Sequence, residues 1–568
     1  MELTGAGILA ECLIREKVEA VFCYPGGMII DLLDEMARHC DALTLFLTRH
    51  EQGAVHAADG YARASGKTGV CILTSGPGAT NAVTGIATAY CDSIPLVVIT
   101  GQVPTNLIGN DAFQEVDIAG ITRPCTKYNY VLKDVKSLAR IVREAFYLAK
   151  SGRPGPVLID LPKDVTIGKS EFVWPDEVRL RSYNPNYKPN MVQLRRAAGL
   201  IIKSQRPLFL IGGGVIESEA SAIITDIALR YRIPLISTLM GLGGFPGTNR
   251  LWHGMVGMHG TFTANRAVTE ADVLIAVGTR FADRVTGKVS AFAKQARIIH
   301  IDIDPTSIRK NVNVDVPIVA DCREAAIGLA EILAAGAEEK DWEQAHAEWL
   351  DRLAGYEAKH PLTYSPSENE IKPQQVIELI DKMTREKHDV IISTDVGQHQ
   401  MWTAQFFKFT RPRAFLSSGG LGTMGYGVPA ALGAQVAMPE KLVVCISGDG
   451  SVQMNIQELA TIVTNNLPVK IIILNNRFLG MVRQWQDLFF GRNYICTDLE
   501  GLSPDFVKLA EAYGATGFRI SEAAELASTL EKALDTPGTV VVDVRVSREE
   551  NVYPMVPAGK ALAEMIVI

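Results

Sequence analysis

The sequence predicts an α/β protein built from three doubly wound, parallel-sheet domains. Short β-branched runs alternate with longer helical patterns along the whole chain. The runs are apolar on both faces, as strands covered by helices on either side must be. A length of 568 residues also exceeds what one hydrophobic core supports. The 49 glycines cluster after the apolar runs, which places them in ligand-binding turns rather than in linkers.

In the first domain, expected over 1–170, "EAVFCYPGG", "GVCILTSGPGATN" and "PLVVITGQ" read as strands running into glycine-rich or polar loops. "MIIDLLDEMARH" and "EQGAVHAADGYARAS" read as helices. The polar, proline-bearing segment "KSEFVWPDEVRLRSYNPNYKPN" is aperiodic and marks a boundary. A central domain over 190–345 carries the strands "PLFLIGGGV", "VLIAVGTRF" and "ARIIHIDIDP". The charged stretch "GYEAKHPLTYSPSENE" is the next break. The last domain, 366–550, opens with the helix "KPQQVIELIDKM" and the strand "HDVIISTD", and 551–568 is left as a tail.

Composition excludes several classes. A net charge of -7 with no basic stripe argues against a nucleic-acid partner. Nine cysteines without CxxC spacing argue for a reducing compartment, and against a disulfide framework or structural zinc. Glu2, Glu11, Arg15 and Glu16 interrupt any secretory leader, and runs such as "VKIIIL" fall far short of a membrane span. The expected location is the cytoplasm.

The most informative stretch is "VVCISGDGSVQMNIQELATIVTNNLPVKIIILNN". Asp449 follows one apolar run and Asn476 the next, so both side chains emerge at the carboxyl edge of a parallel sheet, where ligands bind. A carboxylate, an amide oxygen and nearby carbonyls are hard ligands suited to Mg²⁺. Gly448 and Gly450 let backbone approach a metal-bound phosphate. The segment "SVQMNIQELATIV" is expected as a helix whose first N–H groups, near Ser451, face that phosphate. One aspartate and one amide do not resemble a two-metal hydrolytic centre. On residue types alone, Asp449 could instead cap a helix, with Asn475 and Asn476 in a turn. "GLGTMG" at 420–425 matches a dinucleotide pattern, but "RPRAFLSSG" before it is a poor strand.

With 24 residues between Gly450 and Asn475, this segment resembles the cofactor motif of thiamine-diphosphate-dependent enzymes. "YPGG" at 24–27, "RHEQGAVHAADGYARASG" at 49–66, "TSGPGATN" at 74–81 and "NDAFQE" at 110–115 narrow the resemblance. So do "DLPKDV" at 160–165, "VGTRFADRVTG" at 277–287, "VGQHQMW" at 396–402 and "GTMGYG" at 422–427. Over nearly its whole length the chain resembles the large, catalytic subunit of acetohydroxyacid synthase (acetolactate synthase).

That resemblance implies thiamine diphosphate, Mg²⁺ and FAD as cofactors. It implies a carboligase that decarboxylates pyruvate and passes the two-carbon unit to pyruvate or 2-ketobutyrate, in branched-chain amino acid biosynthesis. The first domain would hold the pyrimidine, the central one FAD and the third the diphosphate. Active sites would lie between the subunits of a homodimer or dimer of dimers, with a separate small regulatory subunit.

The resemblance also assigns residues. Glu51 would be the activating acid, and Gly27 would turn its N–H toward the reacting oxygen. Gln114, Phe113 and Lys163 would line the reaction cavity. Met424 would shape the cofactor. Gln398, His399, Gly450 and Ser451 would contact the diphosphate, with Asp449, Asn476 and the Phe478 carbonyl on the metal. Arg284 would clamp the second acid's carboxylate, with Trp485 and Met481 walling its alkyl tail. Arg153, Gly213, Met258, His259, Arg284, Asp302 and Asp321 would hold FAD. Ala282 departs from the family, which commonly has an acid there. Without the resemblance, Glu51 reads as a helix N-terminal acid, Met424 as core filler and Trp485 as a core anchor. Glu51 argues against a glyoxylate carboligase. Glu51 with Asp449 argues against a non-catalytic assembly subunit. Pyruvate oxidase and a nicotinamide dehydrogenase are the remaining rivals.

Overall fold

The computed structural model describes residues 1–336, 340–387 and 389–567. Three six-stranded sheets, each wholly parallel, carry the fold. The first contains Ala20–Tyr24, Thr44–Leu47, Gly69–Leu73, Leu96–Gln102, Tyr128–Val131 and Pro156–Pro162. The central one contains Pro207–Ile211, Leu235–Ser237, Trp252–Met255, Val273–Val277, Arg297–Asp302 and Val316–Val319. The third contains Val390–Thr394, Phe415–Leu416, Leu442–Gly448, Lys470–Asn475, Thr516–Ile520 and Val540–Arg545. Inner strands such as Gly69–Leu73 and Lys470–Asn475 are buried at every residue, which is why they read as unbroken apolar runs.

Numbering each sheet's strands along the chain, the first and third sheets share the order 2-1-3-4-6-5, whereas the central sheet runs 3-2-1-4-5-6. No sequence repeat announces the shared order. In the first and third sheets the order reverses between strands 1 and 3, and the crevice there is the natural ligand position. Tyr24 and Leu73 border it in the first sheet, Thr394 and Gly448 in the third.

The helix Glu51–Ser65 begins where the His50 imidazole accepts from the Gln52 N–H at 3.1 Å and ends on Gly66, at φ 72°. It packs against Gly427–Ala437, and small residues make this possible: a Cβ on Gly60 or Gly433 would collide with the facing Ala430 or Ala57 carbonyl. A buried ionic cluster flanks the crossing. Arg63 pairs with Asp59 at 2.6 Å and Asp92 at 2.9 Å, and Tyr426 donates to Asp59 at 2.7 Å. The first and third domains are thereby fastened within one chain.

Several expectations need correction. "SVQMNIQELATIV" is not one helix but a 3₁₀ turn, Val452–Asn455, followed by the helix Glu458–Thr464. Side chains compete with the helical ladder there: Gln453 donates to Asp449 O at 2.8 Å and Asn455 to Gly425 O at 2.8 Å. The boundary after the first domain is not wholly irregular, because Lys169–Glu171 pairs antiparallel with Glu2–Thr4. "GYEAK" belongs to the helix Trp342–Lys359 and the break begins only after it. The strand in "HDVIISTD" is Val390–Thr394, and its expected first residue, 388, lies outside the described residues. Among the described residues, no helix is long and apolar enough to cross a membrane.

Candidate active site

The strand Leu442–Gly448 pairs with Lys470–Asn475, with Gly448 opposite Leu474, so Asp449 and Asn476 leave adjacent strands at one edge. They open onto a half-open cavity lined by Val396–His399, Gly448–Ser451, Asn476, Phe478, Met424 and Met481, among others. Every lining residue lies between Val396 and Val482.

Asp449 is 1% exposed, and among the described residues neither carboxylate oxygen has a hydrogen-bond partner. Burial pushes its pKa up to about 7; Asp543 adds to the shift, while Arg545 and Arg477 oppose it. A buried carboxylate left empty is costly, and a cation is the group that removes the cost. Asn476 is held by two contacts: its Oδ1 accepts from the Phe478 N–H at 3.1 Å, and its Nδ2 donates to Gln398 Oε1 at 3.2 Å. The His399 ring is buried, its Nε2 has no partner among the described residues, and burial pushes its pKa down to about 3. A Cβ on Gly448 would lie only 3.0 Å from His399 Nδ1, so the ring packs on the glycine that precedes Asp449. The donor set fits one hard divalent cation carrying a diphosphate. Among the described residues there is no cluster of three His, Cys, Asp or Glu side chains.

A second group assembles in the first domain. Glu51 is buried at the start of its helix, and its Oε2 accepts from Asn81 Nδ2 at 2.9 Å. Its Oε1 faces Gly78, where a Cβ would approach to 3.0 Å. Gly76, at φ 57°, could not carry a side chain without meeting Gln114 O at 2.7 Å. Lys163 ion-pairs with Asp31 and donates to Gly27 O at 3.3 Å. Thus Gly27 and Lys163 meet, as do Glu51, Gln114 and the turn at Thr74–Gly76 that leads into the short helix Pro77–Asn81. The Phe113 ring stands 84% exposed beside them.

Other expected residues are placed less directly. Gln398 lines the cavity, but its amide is bonded to Gln484, the Glu550 carbonyl and Asn476. Trp485 is half-buried and tilts against Phe489 at 5.3 Å. Arg284 is exposed, bonds Asp283 at 2.8 Å and borders a second cavity with Met258, Gly287 and Val556–Gly559.

Near the central sheet, Arg153 reaches Ser93 Oγ at 2.8 Å and Asp304 at 3.2 Å. Burial pushes Asp302 up to about 6, His259 Nδ1 is buried without a partner, and Gly213 opens the short helix after Pro207–Ile211. The unpartnered His259 nitrogen and the desolvated Asp302, which accepts one bond from the Asp304 N–H at 2.9 Å, fit a large polar cofactor. Asp321 fits less well, because it already accepts from the Arg323 and Glu324 N–H groups at 2.9 and 3.2 Å.

Three residues escaped the sequence reading. Arg280 is lowered by burial and by Arg153 beside it, and among the described residues it has no ion pair. Glu458 is fully buried and accepts from the Arg49 N–H at 3.0 Å, which fixes the start of the Glu51 helix from the third domain. Asn81 orients Glu51. Only Asn81 left a signal, the polar end of a glycine-rich turn.

Comparison with known proteins agrees with this geometry. Residues 3–121, 194–329 and 395–544 match in turn the N-terminal TPP binding domain, the central domain and the C-terminal TPP binding domain of the thiamine pyrophosphate enzymes. The chain is 46% identical to the acetolactate synthase isozyme 3 large subunit of Escherichia coli (strain K12), over 99% of this chain and 98% of that one. It is 47% identical to the acetolactate synthase large subunit of Porphyra purpurea, over 100% and 96% of the two chains. The corresponding subunit of Parasynechococcus marenigrum (strain WH8102) is 48% identical, over 99% and 91%. The chain therefore belongs to the acetolactate synthase large-subunit family of thiamine pyrophosphate enzymes.

Proposed function

We propose that this chain decarboxylates pyruvate and joins the two-carbon unit to pyruvate or 2-ketobutyrate, forming 2-acetolactate or 2-aceto-2-hydroxybutyrate for branched-chain amino acid biosynthesis. The observation that carries the proposal is the pair of unpartnered Asp449 oxygens in a cavity at the third sheet's crevice, in a chain that matches acetolactate synthase large subunits end to end. Thiamine diphosphate, when bound, supplies the electron sink that lets carbon dioxide leave pyruvate.

The chain supplies the rest. Asp449, Asn476 and the Phe478 carbonyl would hold Mg²⁺. His399, Gly450 and Ser451 would face the diphosphate, with Gln398 steadying Asn476, and Met424 would press on the cofactor from the cavity wall. Glu51 would hold a proton against the pyrimidine nitrogen, kept in register by Asn81. The Gly27 N–H would stabilise charge on the reacting oxygen, with Lys163, Gln114 and Phe113 lining the approach. Arg284 would take the acceptor's carboxylate, and Met481 and Trp485 its alkyl end. Arg153, Gly213, Met258, His259 and Asp302 would hold FAD, with Arg280 added to that set.

Glu51 and the Asp449 cavity would meet across two copies of the chain, in a homodimer or dimer of dimers. Two features support this: the cavity walls come from the third domain alone, and Leu421, Met454 and Val482 around it are exposed. The proposal includes domains at 1–170, 190–345 and 366–550 with a tail at 551–568, a small regulatory subunit, and a cytoplasmic location. Its test is an anaerobic assay of cofactor-depleted protein with pyruvate, adding thiamine diphosphate, Mg²⁺ and FAD singly and together. Acetolactate should form only when thiamine diphosphate and Mg²⁺ are both present. Its absence from the complete mixture would reject the carboligase.

A further inference from the structure

Gln484 is fully buried in the helix Gly480–Phe489, and each atom of its amide is engaged. Its Oε1 accepts from the Val552 N–H at 2.8 Å and from Gln398 Nε2 at 2.9 Å. Its Nε2 donates to Val552 O at 3.0 Å and reaches Met555 Sδ at 3.4 Å. The side chain thus pairs with Val552 as a neighbouring strand would. A buried amide is costly unless fully bonded, so these contacts fix where the C-terminal segment can lie.

The bonded groups continue in both directions. Toward the metal site, Gln398 accepts from Asn476 Nδ2 at 3.2 Å and donates to Glu550 O at 2.9 Å. Arg483, also buried, donates to Glu550 O at 2.8 Å and Asn551 Oδ1 at 2.6 Å. Toward the other cavity, the Val556 N–H donates to Met258 O at 2.8 Å, and Val556–Gly559 line that cavity together with Arg284. Met481 lies three residues before Gln484 on the same helix, and Trp485 follows it.

We infer that Gln484 is a positioning residue for acceptor selection, locking the helix that carries Met481 and Trp485 to the C-terminal segment that walls the Arg284 cavity. The inference rests on the carboligase reading above. It assigns Gln484 no contact with substrate. With the lock intact, the apolar and cationic sides of the acceptor pocket keep a fixed spacing, and the extra methylene of 2-ketobutyrate is sensed. With it broken, the two walls move independently.

The test compares wild type with Gln484→Met by amide exchange of Val552, by products from mixed pyruvate and 2-ketobutyrate, and by calorimetric binding of thiamine diphosphate with Mg²⁺. In Gln484→Met the Val552 amide should exchange about tenfold faster, as loss of one hydrogen bond allows. The ratio of 2-aceto-2-hydroxybutyrate to 2-acetolactate should fall about threefold, within what one methylene contributes. Cofactor binding should stay within about twofold, well inside the tenfold that separates a measurable from a lost contact.

Unchanged Val552 exchange would overturn the inference, as would faster exchange with an unchanged product ratio. An equal collapse of cofactor binding would do the same, by marking general damage. Gln484→Leu, of similar volume and without polar atoms, serves if the methionine variant does not fold. It should show the same faster Val552 exchange and the same fall in product ratio, and wild-type values of either would contradict the assignment. A wild-type chain making neither product would reject the carboligase itself, while Val552 exchange would still report the lock.

Discussion

The first and third sheets share one strand order, and they differ most at the end of their third strand. Both carry the same support nearby. In the first sheet Gln102, ending strand 4, donates to Asp160 of strand 6 at 3.0 Å. In the third, Asn475 donates to Asp543 of strand 6 at 2.7 Å. Beyond strand 3, however, the first sheet places Thr74 and Ser75, neutral hydroxyls that are buried without partners. The third places Asp449, a carboxylate buried without partners. One frame therefore presents two chemistries, a neutral end suited to a heterocycle and an anionic end suited to a cation with phosphate. Burial alone does not distinguish a ligand site: Asp160 is also pushed up to about 7, yet it accepts from Thr100 and Gln102. What distinguishes Asp449 is that, among the described residues, no donor meets its oxygens.

The largest expected effect concerns the buried acid of the first domain. Glu51→Gln should lower turnover about 10²–10⁴-fold, the usual weight of a positioned acid or base, because an amide cannot share the proton. Steady-state rates at saturating thiamine diphosphate measure it, and near-normal turnover would remove Glu51 from the role. Next come the two supports. Asp543→Ala strands the buried Asn475 amide and takes one partner from the solvent-screened Arg519 and Arg545, and should cost about 2–4 kcal/mol of stability. Asp160→Ala strands only neutral donors and should cost about 1–3 kcal/mol. Urea unfolding compares them, and equal costs would erase the distinction between charged and neutral support.

A pH series sharpens the comparison further. The folded pKa of Asp160 lies near 7, above its ordinary value of 3.8, so the native chain holds a proton there that the unfolded chain releases. Its contribution is present in full below about 4 and is lost as pH rises to about 7. Relative to Asp160→Asn, wild type should lose about 1.4 kcal/mol per pH unit across that window. A constant difference would show that Asp160 stays ionised. Trp485→Leu is expected to have the smallest effect, lowering the preference for 2-ketobutyrate by roughly threefold to tenfold. An unchanged product ratio would return Trp485 to a packing role.

Much of this was legible in the sequence, because parallel strands buried on both faces leave unbroken apolar runs. Those runs locate Asp449 and Asn476 at one edge of a parallel sheet, and the structure makes their strands neighbours. The shared strand order was not legible, since it constrains connectivity and not residue identity. Nor were Gln484 and Glu458, whose partners are distant: Val552 lies 68 residues from Gln484, and Arg49 lies 409 from Glu458. The break at Val452–Asn455 was hidden because its side chains bond backbone in Gly425 and Asp449, which no helical period records.

The most direct test is calorimetric titration of thiamine diphosphate into the cofactor-free chain and into Asp449→Ala, each with and without Mg²⁺. Wild type should bind only with Mg²⁺ present, while the variant should stay folded, unfold no earlier at neutral pH and show no Mg²⁺-dependent binding. A variant that binds thiamine diphosphate as wild type does would contradict the account.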